Sequence, residues 1–307
     1  MYSFYKNRRI FFTISLIFML AGILVSLIFG IKMDIQFKGG SILKYAYTGT
    51  VDLDQAETAI AAAINQEVTA QETVTIGDNR TFLVINVAGT KALTPDEQIA
   101  LKDALASTFP AVEFALEEAN LVDPFIGREL LIKGLWAILI ASVLIVSYVW
   151  FSFRAMSGPS AGVMALVALF HDVLVAFFAF VIMRIPINES LIAVVLTILG
   201  FSINDTIVVY DRIRENEQIH KGKMPLPDLV DLSINQSLTR SINTSLATFG
   251  AVAVAYVFAL IYGIDSIREF ALPMMIGLLS GTYSTICLAG PLWVMWKTRD
   301  GRSGFGA

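Results

Sequence analysis

The chain has 307 residues, 56% of them hydrophobic and 16% charged, with 22 basic and 26 acidic side chains for a net charge of −4. A soluble domain carries about 25% charged residues, so this composition and the mean hydropathy of +0.68 point to a polytopic membrane protein with room for one extra-membrane domain, and the balance of charge indicates no nucleic-acid partner. A single cysteine, Cys287, excludes an intrachain disulfide and metal sites of the multi-cysteine kind.

Lys6, Arg8 and Arg9 precede a charge-free run from Ile10 to Ile31. A bilayer needs about 20 apolar residues to be crossed, and no small-residue cleavage site follows the run. Residues 1–31 are therefore expected to be a cytoplasmic N-terminus and the first transmembrane helix. Residues 32–133 read as one extracytoplasmic domain. Gly39 and Gly40 lead into it, and two glycines permit unusual backbone angles; they form either a tight turn or a hinge between membrane and domain. Ser41–Tyr47 alternates like a strand. Asp52–Glu67 is Ala-rich with helical spacing, and Asp52 with Gln55 resembles a capping box. Thr73–Ile76 and Thr81–Val87 read as a hairpin turning at Gly77-Asp78-Asn79-Arg80. Thr94, Pro95 and Glu97 open a helix that runs to Phe109, and Glu113–Glu118 forms a last strand. The order is βαββαβ, the ferredoxin-like arrangement of a small α+β domain.

Residues 134–296 contain five further apolar runs: Gly134–Phe153, Ser160–Met183, Ser190–Tyr210, Ser241–Tyr262 and Phe270–Trp296. The fold class is thus an α-helical membrane protein of six transmembrane helices with the α+β domain inserted after the first. Basic residues near the run ends collect on one side (Arg154, Arg212, Arg214, Lys221, Lys223, Lys297, Arg299 and Arg302, with those of the N-terminus), which the positive-inside rule makes cytoplasmic. Both termini, including the tail 297–307, then lie in the cytoplasm. Trp150, Trp293 and Trp296 suit interfacial anchoring.

Ionisable residues inside a membrane are costly and mark functional sites by default. His171 and Asp172 sit mid-span in the third run, either as a structural tie between helices or as a proton relay. Asp205, flanked by Asn204 and Thr206, lies in the fourth run, and Gly200 before it offers close helix approach. A buried carboxyl near a cation is suited to taking up and releasing a proton; its bland alternative is a polar staple. The charged run 210–217 reads as a solvated helix face, and Asp228–Leu238 as the start of a new helix. In the fifth run Arg240, Thr244 and Thr248 recur at helical spacing, with Ser237 and Ser241 on the same side. Arg240 is either a snorkelling positive-inside residue or the switchable partner of a membrane carboxylate. No Walker A pattern, hydrolase elbow or metal-ligand spacing is present, so no cofactor is expected beyond a coupling ion, H⁺ or Na⁺.

Four ordered motifs carry a resemblance: Asp34-Ile35-Gln36-Phe37-Lys38-Gly39-Gly40, Ala165–Val173 with His171-Asp172-Val173, Gly200–Glu215 with Asn204-Asp205-Thr206 and Asp211-Arg212, and Gln236–Thr248 around Arg240 and Thr244-Ser245. Over essentially its whole length the chain resembles the SecF branch of the SecD/SecF export proteins, within the resistance-nodulation-division (RND) superfamily. It departs at Ser237 and Ser241, where the family more often has Thr, at Ala247, which replaces a common Thr, and at Lys38. The resemblance implies a non-enzymatic subunit of the cell (inner) membrane. It would pair with SecD and use the proton-motive force to help draw preproteins through the SecYEG translocon from the outer side. Asp205 would match the proton-carrying aspartate and Arg240 the arginine that pairs with a SecD carboxylate. Competing readings are half of a proton-driven small-molecule exporter, an intramembrane aspartyl protease using Asp172 and Asp205, and a passive scaffold.

Overall fold

The computed structural model describes residues 2–299 except 35, 36, 38, 75–80, 90–92, 123, 154–157, 221 and 222. The expected turn at 77–80, Lys38 of the first motif, and the tail beyond 299 fall outside the described residues. Among the described residues, six helices are long and apolar enough to cross a membrane. They are α1 (Arg8–Phe29), α4 (Pro124–Ser152), α5 (Gly158–Ile182), α6 (Glu189–His220), α7 (Leu226–Tyr262) and a composite of α8 (Asp265–Ser284), a π-helical turn (Thr285–Ala289) and α9 (Gly290–Arg299).

Between α1 and α4 lie β1 (Gly40–Tyr47), α2 (Leu53–Ile64), β2 (Val68–Val74), β3 (Thr81–Ala88), α3 (Pro95–Thr108) and β4 (Phe114–Val122). The sheet order is β2-β3-β1-β4 with every neighbouring pair antiparallel. Alternation sends Leu43, Tyr45 and Tyr47 of β1 and Leu83, Ile85 and Val87 of β3 into one core with Ala56 and Ile60 of α2 and Leu101 and Leu105 of α3. Asp52 caps α2 by accepting from the Gln55 amide, and Thr94 with Glu97 forms a complete capping box on α3. α2 stops short of the expected Glu67 because Asn65 turns left-handed (φ 51°), a role asparagine tolerates. Gly39 (φ 76°) and Gly40 (φ 146°) occupy angles that favour glycine. Gly40 is already paired with Ala88 and Val122, so the two glycines lead directly into the sheet.

Two helices outrun their expected spans. α6 continues ten residues past Tyr210 because the charged run pairs along one helix, Arg212 with Glu215 at 2.5 Å and Arg214 with Asp211. α7 merges the expected segment 228–238 with the fifth span into one rod of 37 residues, about 55 Å at 1.5 Å per residue against roughly 30 Å of hydrocarbon. The overhanging ends are tied together: Asn216 donates to Ser233 and Gln236 at 2.8 and 2.7 Å. The N-terminal residues fasten there too. Ser3 Oγ and the Tyr5 amide both donate to Asp231, at 2.6 and 2.9 Å.

α1 and α4 carry exposed apolar side chains such as Leu27, Leu135 and Trp136, the outward face of a membrane bundle, while α6 and the α8–α9 composite fill its centre. Trp293 is a correction to the interfacial expectation. It is 0% exposed, donates to Ser160 Oγ at 3.1 Å and packs against Tyr210, so it belongs to the core. Close helix approach also occurs elsewhere than expected. Gly200 has nothing within 4 Å of an added Cβ, whereas a Cβ on Gly277 would sit 1.9 Å from Ile198 Cδ1 and one on Gly281 3.1 Å from Ser202 Cβ. Gly277→Ala is therefore expected to destabilise the protein by about 1–3 kcal/mol through overpacking, measured by thermal unfolding. Ile198→Val, which deletes the colliding methyl, should recover part of that loss.

Candidate functional site

The close α6–α8 approach brings hydroxyls against two carboxylates. Asp172, on α5, is 0% exposed. Its Oδ2 accepts from Ser202 of α6 at 2.7 Å and from Ser284 of α8 at 2.6 Å, and its Oδ1 accepts from Ser280 of α8 at 2.7 Å. His171 Nδ1 lies 3.1 Å from the same Oδ1. A carboxylate offers about four acceptor positions; three are taken by serine hydroxyls, and the His171 ring stands beside the fourth. Asp172 thereby locks α5, α6 and α8 together.

One turn along α6 from Ser202 the pattern changes. Asp205 is 6% exposed, and its Oδ1 accepts from Ser241 of α7 at 2.5 Å. Its Oδ2 is buried without a hydrogen-bond partner. A buried polar atom left unsatisfied is costly, and among the described residues this oxygen is the one buried polar side-chain atom without a partner. Arg240 stands next to Ser241 in sequence. Among the described residues it closes no ion pair, and it is exposed.

Two hydroxyl clusters flank the acids, one on the Asp172 side and one on the Asp205 side. Thr206 Oγ1 contacts Thr285 Oγ1 at 2.9 Å, and both reach the Ser202 carbonyl, at 3.0 and 3.4 Å. On α7, Ser245 donates back to the Ser241 carbonyl at 2.8 Å and meets Thr282 Oγ1 at 2.5 Å. The π-helical turn begins at Thr285, directly after Ser284. Such turns are frequent at functional sites because the extra residue re-aims side chains.

The expected polar face of α7 divides into two. Ser237, Ser241 and Ser245 form the buried row, while Arg240 and Thr244 are exposed and Thr248 is half-buried. Ser237 only bonds back to its own helix, as does Thr248. Asn204 faces outward and Thr206 inward. His171, with its side chain 13% exposed, stands beside the Tyr283 ring. Asp172 and Asp205 share no hydrogen-bonding partner, unlike an aspartyl dyad holding one proton between two carboxyls. The sequence reading missed Ser280, Ser284, Thr282 and Thr285. Their signal was the i, i+4 pairing of Ser280 with Ser284 beside Gly277 and Gly281 in the last apolar run.

The fold and this site define a polytopic helical membrane protein whose polar machinery lies inside the helix bundle. The profile of the protein export membrane proteins SecD/SecF, C-terminal region, matches residues 100–299. The protein translocase subunit SecF of Thermobaculum terrenum is 34% identical over 95% of this chain and 93% of its own length. The protein translocase subunit SecDF of Bacillus subtilis is 31% identical over 97% of this chain, which spans 38% of that protein. Among solved structures, SecDF from Thermus thermophilus, a translocon-associated membrane protein, superposes with a TM-score of 0.77 at 29% identity, covering 97% of this chain and 39% of that one. The chain belongs to the SecD/SecF family of protein export membrane proteins.

Proposed function

We propose that the chain acts as the SecF-type subunit of a SecDF machine, pairing with a SecD partner to assist preproteins through a SecYEG translocon from its outer side, driven by the proton-motive force. In this reading it sits in the cell (inner) membrane with both termini cytoplasmic. The ferredoxin-like domain lies outside, and lipid covers α1 and α4. It performs no covalent chemistry and binds no cofactor beyond its coupling ion.

The observation that carries the reading is the Oδ2 of Asp205, buried without a hydrogen-bond partner among the described residues. One charge moving through 100 mV releases about 2.3 kcal/mol, enough to bias a helix arrangement if the charge has a place to land. Asp205 provides it. Arg240, exposed on the same side of α7 as Thr244, is placed for a carboxylate from the partner. While Arg240 attends to Asp205, the anion is favoured; when the partner draws the guanidinium away, the carboxyl takes a proton.

The test is export into proteoliposomes holding the complex, driven by a proton gradient with sodium removed. Stimulation is expected to persist, and its loss would transfer the role to Na⁺. Arg240→Lys keeps the charge but loses the planar fork. Stimulation should fall about tenfold, the equivalent of one charge-assisted hydrogen bond of ~1.5 kcal/mol.

A further inference from the structure

We propose that Glu269 is the positioning residue that couples the outer domain to the two helices carrying the membrane site. The proposal rests on the export reading above and names how that site is connected to the outside.

Glu269 lies in the first turns of α8. Its Oε1 accepts from Gln71 Nε2 of strand β2 at 3.3 Å, and its Oε2 accepts from Asn188 Nδ2 at 2.8 Å. Asn188 is buried, and its own Oδ1 accepts from the Ser190 amide at 3.0 Å in the first turn of α6. One carboxylate thus joins three elements: the sheet of the domain, the start of α6 and the start of α8. From this joint α6 runs 14 residues to Ser202, about 21 Å, and α8 runs 11 residues to Ser280, about 16 Å, at 1.5 Å per residue. Both helices therefore lead from one outer joint into the hydroxyl clusters around Asp172 and Asp205. A slide of α6 against α8 at the site must move Asn188 against Glu269.

The two sides of the joint are held differently. Toward α1 the α5–α6 loop is pinned by backbone pairing: Ile187 donates to the Lys32 carbonyl at 2.9 Å and accepts from the Asp34 amide at 3.0 Å. Arg184, at the left-handed φ of 59°, donates to the Gly30 carbonyl at 2.8 Å. Non-glycine residues rarely adopt that angle unless their surroundings hold them there. Toward the domain the tie runs through side chains, and the 3.3 Å contact to Gln71 is its longest member. A crevice of about 490 Å³ opens beside it, lined by Gln71, Glu72, Arg184, Pro186 and Arg268 among others, which leaves room for the domain to rock. Pro273, one turn further along α8, supplies no N–H to the Glu269 carbonyl, so the helix is softened just past the joint. A firm edge, a breakable edge and adjoining space are what a coupling joint requires, and a static brace needs only the first.

The complex with its partner subunit would be reconstituted with Glu269→Ala and, as a milder variant, Glu269→Gln, which can still accept from one of the two donors. Spin labels at Thr58→Cys on the domain and Tyr262→Cys on α7 report their separation; both positions are exposed, and the native Cys287 is buried. In Glu269→Ala, proton uptake that depends on Asp205 should be unchanged, stimulation of export should fall about 5- to 20-fold, the scale of a typical coupling between sites, and the label distances should broaden. Glu269→Gln should fall between. Full stimulation, an unaltered distance distribution, or loss of proton uptake in Glu269→Ala would each overturn the joint. If the unmutated complex shows no uptake dependent on Asp205, the export reading itself fails, whatever Glu269 does.

Discussion

Asp205→Asn is expected to leave the protein inserted, folded and assembled with its partner, while gradient-dependent stimulation of export drops to the level seen without a gradient. The substitution keeps size and keeps the Oδ1 acceptor for Ser241, which approaches it at 2.5 Å. It replaces the unpartnered Oδ2 with an amide that stays neutral at any working pH. A buried carboxylate is more costly than a buried amide, so thermal stability should hold or rise by ~1 kcal/mol, within the ordinary range of such changes. Opposite movement of stability and activity is the signature of a functional acid. If export remains stimulated by the gradient, Asp205 is a staple between α6 and α7, and the chain acts as a passive scaffold.

The second large effect is expected at Asp172 and has the other character. Asp172→Ala removes the acceptor shared by Ser202, Ser280 and Ser284. Each stranded donor costs about 1–3 kcal/mol, but serines on helices can turn back to a carbonyl of the preceding turn, as Ser284 already does toward Gly281 at 3.1 Å. The net loss should be about 2–4 kcal/mol. It would be read as a lowered unfolding midpoint in detergent, with α5 separating from α6 and α8. Three hydroxyls from two neighbouring helices converge on Asp172, so we propose that it acts as an anchor. Asp172→Asn, which keeps two of the four acceptor positions, should lie between wild type and Asp172→Ala. If Asp172→Ala unfolds like wild type yet blocks proton uptake, the anchor assignment is wrong and the relay stands.

Most of the architecture was legible because its causes are local. Apolar run lengths gave the six spans, and the capping pattern at Thr94 placed α3 to within a residue of its observed end. What escaped depended on partners distant in sequence. β2 starts at Val68 rather than Thr73 because its polar residues pair with β3, a contact that periodicity does not register. α6 and α7 outrun their expected spans because apolar run length marks only the part that crosses the bilayer, while charge pairs carry α6 on into water. Asp205 and Arg240 stood out as charges in apolar surroundings. Ser280 and Ser284 did not, since a serine in a membrane helix is ordinary until the carboxylate it serves is known to be opposite. Asn188 and Glu269, at the ends of spans, looked like routine boundary residues.

The strap formed by residues 2–5 bears on how the molecule is made. Ser3 and Tyr5 are held by Asp231, and Tyr2 exchanges hydrogen bonds with Asn235, more than 220 positions later. During synthesis this segment therefore waits, unfastened, while four spans and the whole outer domain are laid down. It is secured only when the start of α7 leaves the ribosome. Substitutions at residues 2–5 are therefore expected to disturb a late step of assembly and leave insertion of the first span untouched.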